Sequence, residues 1–227
     1  MKKIVVFALS ALLLLSASPA AAEGPKPLTK AQLKAALLTP KDLGGGFRVV
    51  RPKRADEKGL PIGVNKTSQA CLKAYRALKP LWSGVQGTVS LQRNHDKVVD
   101  KQVDEAILTG TAAQLKRWES AAATLEAECP ESSRTEGSYY GSLDAGTYGD
   151  ATYALHLCWH YDQNGDNTDC DAVGVGIFQN LVIIRVKSAI IGVVHTGYNN
   201  YDEHAYDPEY IKEVAEKAAA KLTAVAG

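Results

Sequence analysis

The sequence predicts an α+β fold, an antiparallel β-sheet packed by helices and held by two disulfides. Three observations carry this. Segments with capping-box starts and three- and four-residue apolar spacing are interleaved with segments that alternate apolar and polar residues. The later alternating segments follow one another through short polar turns, the connection that antiparallel strands use. Four cysteines sit in a chain that opens with an export signal, so they are expected to pair.

Lys2 and Lys3 precede an almost unbroken apolar run from Ile4 to Leu15, and Ala20, Ala21 and Ala22 offer small residues for cleavage. This is the layout of a secretory signal peptide. Residues 1–22 are therefore expected to be removed, leaving 23–227 as a single domain, secreted and extracellular. The run is too short to span a bilayer, so no membrane span is expected after cleavage. A lipid anchor would need a cysteine at the cleavage site, and the first is Cys71. Loss of Lys2 and Lys3 without any acid turns the formal charge from +1 to −1. That leaves none of the basic excess that nucleic-acid binding needs.

The first helix starts at Leu28-Thr29-Lys30-Ala31-Gln32-Leu33, where a Thr cap, a Gln three residues on and flanking leucines form a capping box with a hydrophobic staple. It is expected to end by Thr39-Pro40, after which Gly44-Gly45-Gly46 turns the chain into a short strand around Phe47 to Val50. These glycines lack the spacing of a phosphate loop. Residues 51–66 read as a charged surface loop. A second helix from Gln69 to Leu78 places Cys71, Ala74, Tyr75 and Leu78 on one inward stripe. Val85, Gly87, Val89 and Leu91 alternate with polar residues as a half-buried strand, and Val99 to Leu108 reads as the next one. Thr111 and Gln114 repeat the capping box of a helix that closes at Cys129 before Pro130.

From Ala151 to Tyr161, Tyr153, Leu155, Leu157 and Trp159 form a core face, with Thr152, Ala154, His156, Cys158 and His160 on the solvent side. A polar turn at 162–169 leads to a strand whose core face is Val173, Val175 and Ile177. Gln179-Asn180 then reads as a tight turn into a strand from Leu181 to Ser188. The last helix starts at Pro208, capped by Asp207, with Ile211, Val214, Ala215, Ala218 and Leu222 on its apolar side.

Facing geometry selects the cysteine pairs. Cys158 and Cys170 share the solvent-side face of consecutive strands and can be bridged across them, which leaves Cys71 with Cys129 on two buried helical stripes.

No catalytic or metal constellation assembles. His156, Cys158, His160 and Cys170 could face zinc, but export favours disulfides over thiolate ligands. Asp162, Asn164, Asp166, Asp169 and Asp171 resemble a calcium loop, yet Gly165 and Val173 stand at the wrong positions for an EF-hand. Gly137-Ser138-Tyr139-Tyr140-Gly141 is one residue too long for a nucleophile elbow. The chain is therefore expected to be non-catalytic, with no cofactor and no metal. Tyr198, Asn199, Asn200, Tyr201, Asp202 and Tyr206 mix rings with amide and carboxylate edges just before the last helix, a composition suited to one wall of a ligand cleft.

The chain resembles the PknH-like extracellular sensor-domain family of actinobacteria, as a free-standing secreted member. The resemblance rests on Leu37-Leu38-Thr39-Pro40-Lys41-Asp42-Leu43-Gly44-Gly45-Gly46-Phe47, the cysteine opening a helix at Cys71 and the Ala-rich helix ending at Cys129. Gly149-Asp150-Ala151-Thr152-Tyr153-Ala154-Leu155, the stretch from Val173 to Val186 and the Ala-rich last helix complete it. It implies an antiparallel sheet with helices, two disulfides and a cleft for an extracellular ligand. The expected function is a secreted binding or sensor module for a small extracellular ligand. A cell-envelope protein-interaction module is the alternative, and a hydrolase using His95 or His204 is a weaker rival.

Overall fold

The computed structural model describes residues 27–51, 69–82, 86–95, 98–129, 139–161, 175–199 and 207–226, with the backbone alone at 82, 98, 139–140, 158–161, 175–176 and 198–199. Six helices, α1 (Lys30–Ala36), α2 (Pro40–Leu43), α3 (Gln69–Ala77), α4 (Lys79–Trp82), α5 (Ala112–Glu128) and α6 (Pro208–Ala226), accompany seven strands among these residues. The strands are β1 (Arg48–Val50), β2 (Gly87–His95), β3 (Val98–Thr109), β4 (Tyr139–Ser142), β5 (Ala151–Tyr161), β6 (Val175–Val186) and β7 (Ala189–Asn199). They form one sheet in the order β1-β2-β3-β7-β6-β5-β4, with every pairing antiparallel. No described helix is long and apolar enough to cross a membrane.

Both faces of the sheet are covered. α1 and α6 pack together over one face, where Leu91, Val103, Ile107, Ala154, Val182, Ile184, Ile191 and Val193 are buried. α3 and α5 pack together over the other, against Leu108, Leu155, Leu157, Leu181, Ile183, Ile190 and Val194. A strand between two helical layers has no solvent side, and this overturns the alternation expected for β5. Leu155 and Leu157 lie in the core as foreseen, but Ala154 and His156, assigned to solvent, are buried as well, His156 to 4% exposure.

The same cause moves a turn. Gln179 and Asn180 do not turn the chain. They are paired residues inside β6, and the hairpin to β7 is made by Lys187 and Ser188, with Lys187 at φ +49°. Two polar residues inside an apolar run look like a turn only if one face is wet. The expected core face also slips by one residue, because Ile177 is 39% exposed while Phe178 is buried.

Local signals specify the ends of the helices. Thr29 N donates to Gln32 Oε1 at 2.9 Å and Gln32 N to Thr29 Oγ1 at 3.3 Å, and Thr111 with Gln114 repeats the box at α5. Asp207 Oδ1 accepts from Glu209 N and Tyr210 N at the start of α6. The first helix ends before Thr39-Pro40 as expected, at Ala36, and Pro40 opens the short α2 at the N-terminal position proline favours.

Two of the segments that carried the family resemblance have structural work. Leu38 N donates to Glu105 Oε2 at 2.6 Å, and the Asp42 carboxylate accepts from Thr39 N and from Lys221 Nζ at 2.8 Å, tying α2 to the sheet and to α6. Gly44 and Gly46 take φ of +88° and +86° to bring Phe47 into the core. Gly149 sits so close to the Arg185 carbonyl that any Cβ would overlap it, and Asp150 Oδ2 accepts from Lys187 N at 2.6 Å, bracing the hairpin.

Cys71 and Cys129 form a disulfide with Cα atoms 5.3 Å apart, linking α3 to the end of α5. It is one of the two bridges expected. Of the other, Cys158 to Cys170, only the Cys158 backbone is described, and Cys170 lies outside the described residues, as do residues 1–22 with the expected signal peptide.

Candidate functional site

Residues paired across antiparallel strands project from the same face, so register alone builds a row. His156 of β5 pairs with Asn180 of β6, which pairs with His195 of β7, which pairs with Val103 of β3. The row lies on the α1/α6 face. One step nearer the strand ends, Phe178 pairs with Gly197 and Gly197 with Lys101. A Cβ at position 197 would fall within the Phe178 ring, so the absent side chain is what lets that ring lie over the strand. Tyr210, in the first turn of α6, closes the group from above.

The contacts are close and largely aromatic. His156 Nδ1 and Asn180 Oδ1 are 2.5 Å apart. The His195 ring meets Phe178 at 5.4 Å and Tyr210 at 4.8 Å between centroids, both edge to face. Lys101 Nζ stands 4.1 Å from the Tyr210 ring centroid. His195 and Asn180 are each 0% exposed. Yet both nitrogens of His195, Nδ2 of Asn180 and the Tyr210 hydroxyl have no hydrogen-bond partner among the described residues. Burying such groups unbonded costs about 1–3 kcal/mol each.

Burial drives the His195 pKa down to about 3, and the nearby charges of Lys101, Arg93 and His156 add to the effect. The ring is neutral at any physiological pH and presents one donor and one acceptor. Burial pushes the Tyr210 phenol up, keeping it protonated. Burial and the neighbouring Arg93 lower the Lys101 ammonium from its usual value. The group can therefore offer several hydrogen-bond donors and few acceptors between two aromatic faces. On the opposite face at the same level, Gln179 Nε2 donates to Thr196 Oγ1 at 3.3 Å, so the polar belt spans both sides of the sheet.

Of the loop singled out from sequence, Tyr198 and Asn199 are the last residues of β7, described in backbone only, and Asn200, Tyr201, Asp202 and Tyr206 lie outside the described residues. So do His204, Cys170 and the acidic stretch 162–171. His160 and Cys158 are described in backbone only. His156, once a zinc candidate, is bonded to Asn180, and the described residues contain no group of three or more His, Cys, Asp or Glu arranged for a metal. His95 is exposed at the far end of β2. Sequence reasoning passed over Asn180, His195, Lys101 and Tyr210. Their signal was a polar side chain breaking an apolar strand, visible at Asn180 and at His195.

Under α5, Ala122, Leu125, Tyr153, Leu155, Leu181 and Ile183 line a shallow groove with room for about one water molecule. Arg185 Nη1 and Glu119 Oε2 close an ion pair at 2.5 Å on the same side of the sheet.

The solved structure of the extracellular domain of PknH from Mycobacterium tuberculosis superimposes on this chain with a TM-score of 0.51, covering 89% of this chain and 98% of that one at 12% identity. The two proteins share a fold. The identity is too low to carry over any residue, so the likeness concerns architecture alone. No protein-family model and no curated protein matches the sequence.

Proposed function

We propose that the protein is a secreted, non-catalytic extracellular binding module of the sensor type, which takes a small ligand at the polar end of its sheet. The observation that carries this is the buried row under α6. His195 and Asn180 hold unbonded polar atoms where a protein selected for stability alone would hold hydrocarbon. Two further observations support the setting: the PknH domain with the same fold is extracellular, and residues 1–22 have the layout of an export signal. In this reading Tyr198, Asn199, Asn200, Tyr201, Asp202 and Tyr206 provide the outer wall of the site, and Cys158–Cys170 is the second staple. The His195 ring contacts Phe178 and Tyr210 and, among the described residues, has no bond to a carboxylate that would make it a general base.

The test uses His195→Phe, which keeps a planar ring between Phe178 and Tyr210 and removes both nitrogens. The variant is expected to be more stable than the wild type by about 1–3 kcal/mol. In a thermal-shift screen of small carboxylates, sugars and short peptides, any compound that stabilises the wild type is expected to lose its effect on this variant. A His195→Phe protein that is less stable and keeps every ligand response would refute the site.

A further inference from the structure

Glu105 of β3 sits in hydrocarbon. Val89 and Val193 face it across the neighbouring strands, and Val103 and Ile107 flank it along its own. It is 2% exposed. Its hydrogen bond comes from above the sheet, where Leu38 N donates to Oε2 at 2.6 Å, while Oε1 has no partner among the described residues. The cover over this carboxyl is the strap from Leu28 to Leu43, which carries α1 and α2.

The strap has a hinge and a clasp. Helices of seven and four residues do not hold by themselves, so it stays down through the burial of Leu33, Ala36, Leu38 and Leu43. Gly44 and Gly46, at φ +88° and +86°, join it to Phe47 and β1, and a side chain at Gly44 would meet nothing within 4 Å. On α6, Lys221 Nζ bonds the Asp42 carboxylate and Lys217 Nζ the Asp42 carbonyl, each at 2.8 Å, and Gln32 Nε2 donates to the Val225 carbonyl at 3.0 Å.

The charged groups that face Glu105 are Asp42 on α2 and Lys221 on α6, already paired with each other; α1, β2 and β7 bring none among the described residues. An ionised Glu105 under the closed strap has one amide, a cation engaged elsewhere and a second carboxylate nearby, so its charge is poorly compensated. Burial accordingly holds the carboxyl protonated up to about 8.

We propose that Glu105 is a proton-operated latch: neutral, it lets the strap close over it on the Leu38 amide, and ionised, it drives Leu28–Leu43 to swing away on the Gly44–Gly46 hinge, admitting water to the carboxylate and uncovering the apolar side of α6. The device is independent of the ligand site proposed above. The solvated carboxyl titrates near 4.5 and the covered one near 8, so opening releases a proton between these values. The opening equilibrium therefore rises about tenfold per pH unit up to 8 and levels off above it.

Hydrogen exchange followed residue by residue by NMR at pH 6, 7 and 8 and fixed ionic strength tests the latch, with each rate divided by its intrinsic value. In the wild type the protection of the Leu33 and Leu38 amides is expected to fall about tenfold per pH unit and to stay at least tenfold below that of the β6–β7 core, since the strap opens while the sheet stays folded. Glu105→Gln cannot ionise and is expected to hold strap protection constant; Glu105→Leu, matched to the surrounding hydrocarbon, gives the same flat profile without a buried amide. Strap protection independent of pH in the wild type overturns the latch. Equal protection of strap and core at every pH also overturns it, because global unfolding alone then uncovers Glu105, and so does a fall of the same size in the variants.

Discussion

Glu105→Gln isolates the most heavily penalised acid described in the fold. Glu105 lies on the α1/α6 face of β3, 2% exposed, with Oε2 accepting from Leu38 N and Oε1 unbonded. The charged groups that face it are Lys221 on α6 and Asp42 on α2, which are paired with each other at 2.8 Å. Burial raises its pKa from 4.5 to about 8; the Leu38 amide and Lys221 pull it back, and Asp42 adds slightly to the rise. The folded protein therefore holds a proton that the unfolded chain releases near 4.5. Stability from this group is complete below 4.5 and is lost as the pH rises to 8, at ~1.4 kcal/mol per unit. Between pH 5 and 8 the loss has a ceiling of about 4 kcal/mol. Gln keeps an acceptor for Leu38 but cannot ionise, and its amide adds a donor without a partner, costing about 1–3 kcal/mol at every pH. Urea denaturation of both proteins from pH 5 to 9 at fixed ionic strength is expected to show the wild type ahead at pH 5 and the variant level or ahead by pH 8. Other titrating groups cancel in the difference. Parallel stability curves across that range would show that Glu105 does not titrate as its burial dictates.

Three other perturbations are expected to read out single features. Gly197→Ala drives a methyl into the Phe178 ring and should cost about 1–3 kcal/mol through overpacking, with displaced Phe178 and His195 ring resonances; an unchanged denaturation midpoint would contradict it. Cys71→Ala opens a loop with a sequence separation of 58 and should cost about 4 kcal/mol on the loop-entropy relation, checked by denaturation under oxidising conditions. Asp150→Ala removes the acceptor for Lys187 N at a left-handed residue and should cost about 1–2 kcal/mol. Its signature is faster hydrogen exchange at the Lys187 amide, and unchanged protection there would mean that the brace is idle.

Much of the fold was legible because its signals are local. The capping boxes at Thr29 and Thr111 and the Asp207 cap need no knowledge of the rest of the chain, and each helix start fell where they placed it. The turn between β6 and β7 was misplaced for a tertiary reason. Whether Gln179 and Asn180 sit in water or under a helix depends on α6, which joins the chain about thirty residues later. That one displacement also hid the site. Asn180 and His195 align only when the hairpin turns at Lys187 and Ser188, because that turn sets the register of β6 on β7, and His156 joins the row through the separate pairing of β5 with β6. With the turn at 179–180, Asn180 belongs to no row and His195 has no cross-strand partners.

Buried polarity is not in itself unusual in this sheet, and the contrast among its polar groups is what supports the proposed site. Asp104 takes hydrogen bonds from Ser90 and Gln102, Arg93 is paired with Asp100, Gln179 reaches Thr196, and Glu105 holds the Leu38 amide. Each of these groups joins two elements or fixes a register, so each has a structural return for its desolvation. His195 joins nothing through hydrogen bonds. It occupies the centre of the sheet, where Val193 two residues earlier fills the same face with hydrocarbon, and an apolar side chain would pack there without penalty. A structural account of the sheet explains every residue of this belt more readily than it explains His195. In the proposed reading, a ligand that supplied the missing hydrogen bonds would remove the penalty, and that gain would appear as binding energy.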